Sequence, residues 1–527
     1  MGKYVLRRLF HGLISAFVVV AIVMIMIYTL LDKQLIFAAD NVYKNYGNNE
    51  KVAYQYRKWE EYGYLDYLTY TDYLSLLVEK GEIDEETKTS VASIGKKPEN
   101  DKKETAEYVE KFNEYCAANN YTVVRLNAIM VSPKKYANGG AQQLFAYKAL
   151  PITHRLVSYV TGLIKVDNIH YVEKNTGDVL ENPGITFTLH DPIYGGEKFA
   201  PAIIGNGTKH KYLLYFDGKF PFIHQNLVTL NLGQSYAVNQ GVDVFETMTK
   251  PQGSYVMTTT TFPTGLTEES ADDLHSAVYV SGSMLANKVN SDRFTDDYTS
   301  VTTVKAGKSK MGYSFSIGII SVLLMYLIGI PLGILMSRHK DKFVDKLGTA
   351  YIMFITAVPS LAYIFLFKAI GGKLGFPTTF DIESTSKMIY VLPIVSLALR
   401  PIADTMKWLR RYMIDQMNSD YVKFARSGGL TESEIFRKHI LKNASIPIVH
   451  GIPAGVLGAL VGAIITERVY VVPGAGNLLT IAINQYDNGV IVGVVLFYAI
   501  LSVVSIIAGD VLISLVDPRI NYSGKAR

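Results

Sequence analysis

Four ionisable side chains, Arg400, Asp404, Glu467 and Asp510, stand inside long apolar runs or at their ends. Charge is costly in hydrocarbon, so such residues face a bundle interior or an aqueous path, or else reach the interface from a helix end. The chemistry open to them is that of a lined passage, transient pairing with a polar solute rather than bond making. Arg400, Asp404 and Glu467 are the pore or gate candidates. Elsewhere the chain offers little to covalent chemistry, because no nucleophile–base constellation stands out. His154, His170, His190, His210 and His224 are scattered without metal-ligand spacing, so neither a metal nor another cofactor is expected. Gly307-Lys308-Ser309 has the ending of a phosphate-binding loop, but Thr302 occupies the position where that motif needs its first glycine. The chain is therefore read as non-enzymatic, without an ATP site of its own.

The elements that must hold these charges are apolar spans. Gly12–Leu31, Met311–Met336, Leu347–Phe367, Ala444–Thr466 and Gly489–Gly509 carry no charge that would stop a crossing, and about twenty residues of helix cross roughly 30 Å of hydrocarbon. Met388–Leu399 is shorter and ends at Arg400-Pro401; between two clear spans it reads as a helix with a polar, kinked half. Pro331 and Pro359 can kink their own helices, and Lys368 is expected to snorkel. Gly451, Gly455, Gly458 and Gly462 repeat at GxxxG spacing, which suits close helix approach. The first run has the basic start of a signal peptide, but its apolar stretch exceeds the roughly 7–15 residues of a signal core, so it reads as a retained anchor.

Charge placement gives orientation. Lys3, Arg7 and Arg8 precede the first span. Arg338, Lys340, Lys342 and Lys346 follow the second, and Lys407, Arg410, Arg411, Lys423, Arg426, Arg437, Lys438 and Lys442 follow the fourth. Arg519, Lys525 and Arg527 lie in the tail. The alternate short segments hold only Lys373, Lys387 and Arg468. Positive charge is retained on the cytoplasmic side, so six helices with both termini inside are expected, and residues 32–310 lie outside.

That outer segment is large enough for a domain. Lys103–Asn119 has helical spacing with Ala106, Val109 and Phe112 on one face, while Tyr212–Phe216 and Ser254–Phe262 read as strands. The one cysteine, Cys116, forbids an intramolecular disulfide, so the segment must fold by burial. The chain's net charge of +5 is modest, and no nucleic-acid partner is expected.

Between the fourth and fifth spans lies Asp420-Tyr421-Val422-Lys423-Phe424-Ala425-Arg426-Ser427-Gly428-Gly429-Leu430. A short helix ends there in paired glycines that permit a left-handed turn. Thr431-Glu432-Ser433-Glu434 then fits a capping box, with Glu434 reaching back to Thr431, and opens a helix of about 432–442. The product is a compact helix–turn–helix knob. Spacing alone leaves two readings open, a docking knob or an ordinary basic membrane-proximal loop.

The stretch Asp420–Leu430 resembles the EAA loop of binding-protein-dependent ABC importers, and in particular the D-Y-V-x-x-A-R-A-x-G-L pattern of the peptide and nickel permease branch. Asp420, Tyr421, Val422, Ala425, Arg426, Gly429 and Leu430 match, while Ser427 replaces an alanine and Lys423 an acidic residue. Tyr4–Leu9, Leu230–Ser235, Glu467–Gly476 (E-x-V-F-x-x-P-G-x-G) and Asp517-Pro518-Arg519 resemble further family stretches in family order, so the likeness covers residues 1–31 and about 228–527. The chain is similar to the first membrane subunit of an oligopeptide permease, in the Gram-positive form with a longer outer segment.

The resemblance implies an α-helical polytopic membrane protein of the type I ABC permease fold. Six transmembrane helices are expected, with a large mixed α+β extracellular domain between helices 1 and 2. The implied divisions are residues 1–31, 32–310 and 311–527, with later spans near 311–336, 347–370, 388–406, 444–467 and 489–516 and a coupling loop at 407–443. Implied partners are a second permease subunit, two cytoplasmic ATP-binding subunits, an extracellular substrate-binding lipoprotein, a peptide substrate and membrane lipid. Tyr421, Ala425, Arg426, Gly429, Leu430 and Glu434 become the ATPase-coupling residues. The alternatives are a permease for dipeptides, nickel or another small solute, and a membrane receptor sensing through its outer domain.

Overall fold

The computed structural model describes residues 2–95, 97–126, 143–166, 184–191, 193, 199–208, 210–216, 223–225, 228–279, 291–296, 299–303 and 305–517. His170 and the closing Pro518-Arg519 motif lie outside the described residues.

The chain opens with α1 (Gly2–Leu30), whose outer face exposes Phe10, Phe17 and Met26 as a lipid-facing helix should. Helices α2 (Asn41–Asn45), α3 (Asn48–Glu61), α4 (Tyr70–Glu79), α5 (Glu85–Val91) and α6 (Lys103–Ala118) follow, around a three-stranded antiparallel sheet ordered β1 (Leu65–Thr69), β3 (Leu144–Ala149), β2 (Thr122–Arg125). Tyr62, Trp59, Phe145, Phe112 and Leu74 are buried here, and burying a side chain of this size stabilises by roughly 1.5–3 kcal/mol. The tyrosine-rich composition thus fills two aromatic cores. The expected helix at 103–119 is present, but its buried face is Thr105, Val109, Phe112 and Cys116, and Ala106 is exposed. Thr105 turns inward because the i, i+4, i+7, i+11 row meets the core and Ala106 falls one step round the helix. Burial alone pushes the Cys116 thiol up to about 11.

Next come α7 (Ile152–Thr161) and a strand pair, β4 (Ile164–Val166) with β9 (Val228–Leu230). A four-stranded antiparallel sheet runs β5 (Gly184–Thr188), β6 (Ala202–Asn206), β7 (Tyr212–Phe216), β8 (Ile223–Gln225). Then follow α8 (Val244–Thr249), the hairpin β10 (Thr258–Thr261) and β11 (Thr267–Ser270), and the pair β12 (Asp272–Tyr279) and β13 (Thr299–Thr303). The strand expected at 254–262 is confined to Thr258–Thr261.

The second half is helical: α9 (Lys310–Arg338), α10 (Phe343–Ala357), α11 (Ser360–Lys373), α12 (Val391–Met417), α13 (Asp420–Ser427), α14 (Glu432–Ile435), a π-turn at Phe436–Ile440, α15 (Leu441–His450), α16 (Ile452–Tyr470), α17 (Ala475–Asn484) and α18 (Asn488–Val516). Among the described residues five helices are long and apolar enough to cross a membrane, or six if α10 and α11 form one broken span. The span expected at 347–370, with Pro359 able to kink it, is broken at that proline. The helices bend by 113° because Pro359 has no N–H for an α10 carbonyl and biases Val358 towards extended backbone.

Two other boundaries also move. Helix α12 runs through Pro401 to Met417, so the helix continues past residue 407 into the stretch expected as a loop. The fifth span, expected unbroken at 444–467, is interrupted at Gly451 between α15 and α16. Between membrane helices lipid supplies little hydrophobic drive, so polar contacts matter more. Ser321 donates to the Ile394 carbonyl at 3.1 Å and Tyr351 to that of Leu399 at 2.7 Å. Arg410 holds Asp345 through two bonds of 2.5 and 2.7 Å. Lys368 caps the end of α16 through the Val469 carbonyl at 2.6 Å instead of snorkelling.

Candidate functional site: a charged cavity and a helical knob

A cavity of about 620 Å³ opens among α9, α11, α12, α15 and α16. Tyr326, Tyr363, Trp408 and Tyr412 give it an aromatic lining, and Arg400 and Asp404 bring charge to it. These two sit one turn apart on α12, with Arg400 Nε 3.9 Å from Asp404 Oδ2, each about half exposed. At that separation the pair is loose, and either charge can turn to a polar solute. Gly451, Gly455 and Gly458 border the cavity, so three of the four glycines leave room in its wall.

Glu467 does not line this cavity. It is fully buried, accepting from Ser314 Oγ at 2.5 Å and from the Asn477 amide at 2.9 Å. Ser314 in turn accepts from the Ala475 amide at 2.9 Å. The carboxylate therefore pins the Pro473–Gly476 turn and the start of α17 against α9. Its own helix ends one turn later in Val471, at φ +59°, which turns the chain back on itself. Asp510, at the far end of α18, accepts from Tyr4 at 2.9 Å and lies 3.3 Å from Arg8.

The knob forms as its residues dictate. Helix α13 closes with the Leu430 amide donating to the Ala425 carbonyl at 3.2 Å and Gly429 at φ +82°. Thr431 caps α14, its hydroxyl receiving the Glu434 amide at 3.3 Å while the Glu434 carboxylate takes the Thr431 amide at 3.2 Å. Arg426 spans the elbow to Glu432 at 2.6 and 3.2 Å; each partner favours the other's charged form, so the guanidinium is raised and the carboxyl lowered. Tyr421, Ala425 and Leu430 pack on a core of Leu409, Met413, Val422, Ile435 and Phe436. They hold the knob together from within, whereas Arg426, Gly429 and the exposed Phe424 face out. Phe424, 76% exposed, was not singled out from the sequence, although an aromatic in a polar helix between Lys423 and Arg426 is a signal.

Asp487 was also missed. It is fully buried and receives Ser235 Oγ at 2.6 Å, the amides of Tyr236, Ala237 and Val238 at 2.9 Å each, and the Val490 amide of its own helix at 3.1 Å. The Asp-Asn-Gly start of the last apolar run was the available signal.

A bundle of apolar helices enclosing a charged cavity, with a structured knob at one end, defines a membrane transport subunit. The pattern of the binding-protein-dependent transport system inner membrane component family matches residues 329–522. The oligopeptide transport system permease protein AmiC of Streptococcus pneumoniae is 32% identical over the whole of this chain and 99% of its own length. The dipeptide transport system permease protein DppB of Bacillus subtilis is 29% identical over 40% of this chain and 68% of its own. Among solved structures, a crystal structure of an amino acid ABC transporter aligns at 18% identity and a TM-score of 0.32, over 40% of this chain and 92% of that one. The chain belongs to the binding-protein-dependent ABC permeases, in the oligopeptide permease branch.

Proposed function

We propose that this chain forms half of the pore of an ATP-driven importer that carries oligopeptides across the plasma membrane. In this reading the α10–α11 pair counts as one span, giving six, with both termini cytoplasmic and residues 32–310 outside. The pore is completed by a second permease subunit, two cytoplasmic ATP-binding subunits drive it, and an external lipoprotein delivers the peptide. The full-length relative named for oligopeptides supports that substrate over dipeptides or nickel, since the relative named for dipeptides matches only 40% of this chain.

One continuity carries the mechanism. The helical run that starts at the Thr431 cap continues through the π-turn to α15, and Pro447 and Ile448 of α15 border the cavity. A push on the knob from a closing ATPase pair is therefore delivered to the wall of the passage, which can alternate its opening by rigid-body tilt. Tyr421, Ala425 and Leu430 keep the knob stiff, Gly429 and Glu434 shape its elbow, and Arg426 with Phe424 presents its docking face. Arg400 and Asp404 line the path, and Glu467 sets the turn beside it.

Uptake of a labelled pentapeptide, a dipeptide and nickel by cells carrying or lacking this chain tests the reading. Loss of pentapeptide uptake alone supports it, and loss of nickel or dipeptide uptake alone would replace the substrate. A Ser427→Cys thiol labelled by an impermeant reagent on intact cells would reverse the orientation and end the coupling account.

A further inference from the structure

A second groove, of about 470 Å³, lies between the first and last helices, away from the charged cavity. Its walls are apolar, with Ala16 and Val19 from α1 and Val503 and Ile506 from α18. Its mouth is basic, lined by Arg7, Arg8 and His11. Arg8 is already engaged, its Nε 3.3 Å from Asp510 and 2.9 Å from the Tyr4 hydroxyl. Arg7 has no acidic partner among the described residues, and neither residues 1–31 nor residues 518–527 contain an acidic side chain. Among the described residues Asp510 thus neutralises Arg8, and Arg7 remains as positive charge directly above an apolar slot.

The walls belong to helices that cross hydrocarbon, so what enters the slot comes from the bilayer. Its volume falls in the range of small-molecule sites, roughly 300–1,000 Å³, and basic pockets between spans suit anionic headgroups. We infer that the α1–α18 groove is a binding site for a phospholipid with an anionic headgroup, its phosphate held by Arg7 and His11 and one acyl chain lying between Val19 and Ile506. A zwitterionic headgroup brings its own cation to the same mouth and gains less there.

The intact importer, purified in mild detergent and exposed to equal phosphatidylglycerol and phosphatidylcholine, would be read by native mass spectrometry. The expected result is retention of phosphatidylglycerol on this subunit at least tenfold over phosphatidylcholine. Arg7→Gln with His11→Gln, both at exposed positions, should bring retention down to the phosphatidylcholine level. Ser502→Phe, which fills the slot without touching charge, should abolish retention of both lipids while the variant still assembles. Equal retention of the two lipids, or retention unmoved by the double variant, would overturn the site. So would displacement of the lipid by glycerol phosphate alone, which would locate all the binding in the phosphate. A Ser15→Cys thiol that cross-links to the second permease would likewise show the groove filled by protein.

Discussion

Ser235 and Asp487, 252 residues apart in the chain, share a 2.6 Å hydrogen bond in a fully buried site. Three successive backbone amides after Ser235 point at the same carboxylate, so residues 235–238 are docked on the start of α18. Gly489 permits this, since a Cβ there would lie 1.8 Å from the Gln234 carbonyl oxygen. The clamp is reinforced nearby, where the Arg155 guanidinium sits between the Tyr28 and Tyr64 rings, 3.5 and 3.9 Å from their centres. The stretches around Tyr64, Arg155 and Ser235 are thus anchored to α1 and α18.

Removing the carboxylate should release that anchor. Asp487→Ala leaves five donors without their acceptor, three of them in buried bonds, each unsatisfied buried group costing about 1–3 kcal/mol. The expected outcome is a loss on the order of 3 kcal/mol or more, seen as a lower unfolding temperature in detergent and faster proteolysis within residues 32–310. Asp487→Asn, which keeps two acceptor lone pairs, should lie between. An unchanged proteolysis pattern in the alanine variant would refute the clamp.

The elbow of the knob depends on Gly429. At φ +82°, with nothing within 4 Å of an added Cβ, the penalty for a side chain is conformational alone, roughly 1–2 kcal/mol and more for a β-branched residue. Gly429→Val should leave the protein in the membrane but uncouple ATP hydrolysis from peptide uptake, whereas Gly429→Asn, which tolerates the left-handed region, should keep most uptake. Normal whole-cell uptake by the valine variant would remove the elbow from the coupling mechanism.

The Arg400–Asp404 pair should act on transport and not on folding, because both side chains are half exposed. Neutralising either (Arg400→Gln or Asp404→Asn) is expected to lower oligopeptide uptake about tenfold, with membrane yield and subunit assembly unchanged. Wild-type uptake in both variants would place the pair outside the path.

The stretch between α1 and α9 should carry a pH dependence of its own. His275 Nε2 lies 2.6 Å from Asp191 and Nδ1 3.2 Å from Asp273, with the Tyr215 ring stacked 4.5 Å away. Burial disfavours the imidazolium, but the bonds and charges of Asp191 and Asp273 together outweigh it and lift the histidine to about 9. A pKa raised on folding gives stability that is fully present below the ordinary value near 6.5 and lost as pH rises through about 9. Asp191 acts in the opposite window: burial opposes its charge, yet His275 and its hydrogen bonds hold its carboxyl below the usual value of 3.8, and that stability is lost only in stronger acid. Thermal melts of the purified protein should fall between pH 7 and pH 10, with the fall reduced in His275→Gln; equal falls in both would refute the assignment.

The sequence by itself determined the membrane class, the place of the apolar helices and the inner form of the knob. All three rest on local rules: twenty apolar residues make a span, Thr431 and Glu434 make a cap, and a glycine pair makes a turn. The family likeness followed from the same short stretches. What those rules missed depends on neighbours distant in the chain. A kink is expected at Pro359 and at Pro401 alike; that the chain breaks by 113° at the first and passes as one helix through the second only the surrounding helices could decide. Glu467 and Arg400 both read as charges in apolar runs, yet tertiary packing turns one into the Pro473–Gly476 turn and leaves the other facing the cavity. Asp487 gave only the signal of a helix cap; that its carboxylate also receives residues 235–238 was decided by the fold, because a buried charge needs donors that its own stretch of chain cannot supply.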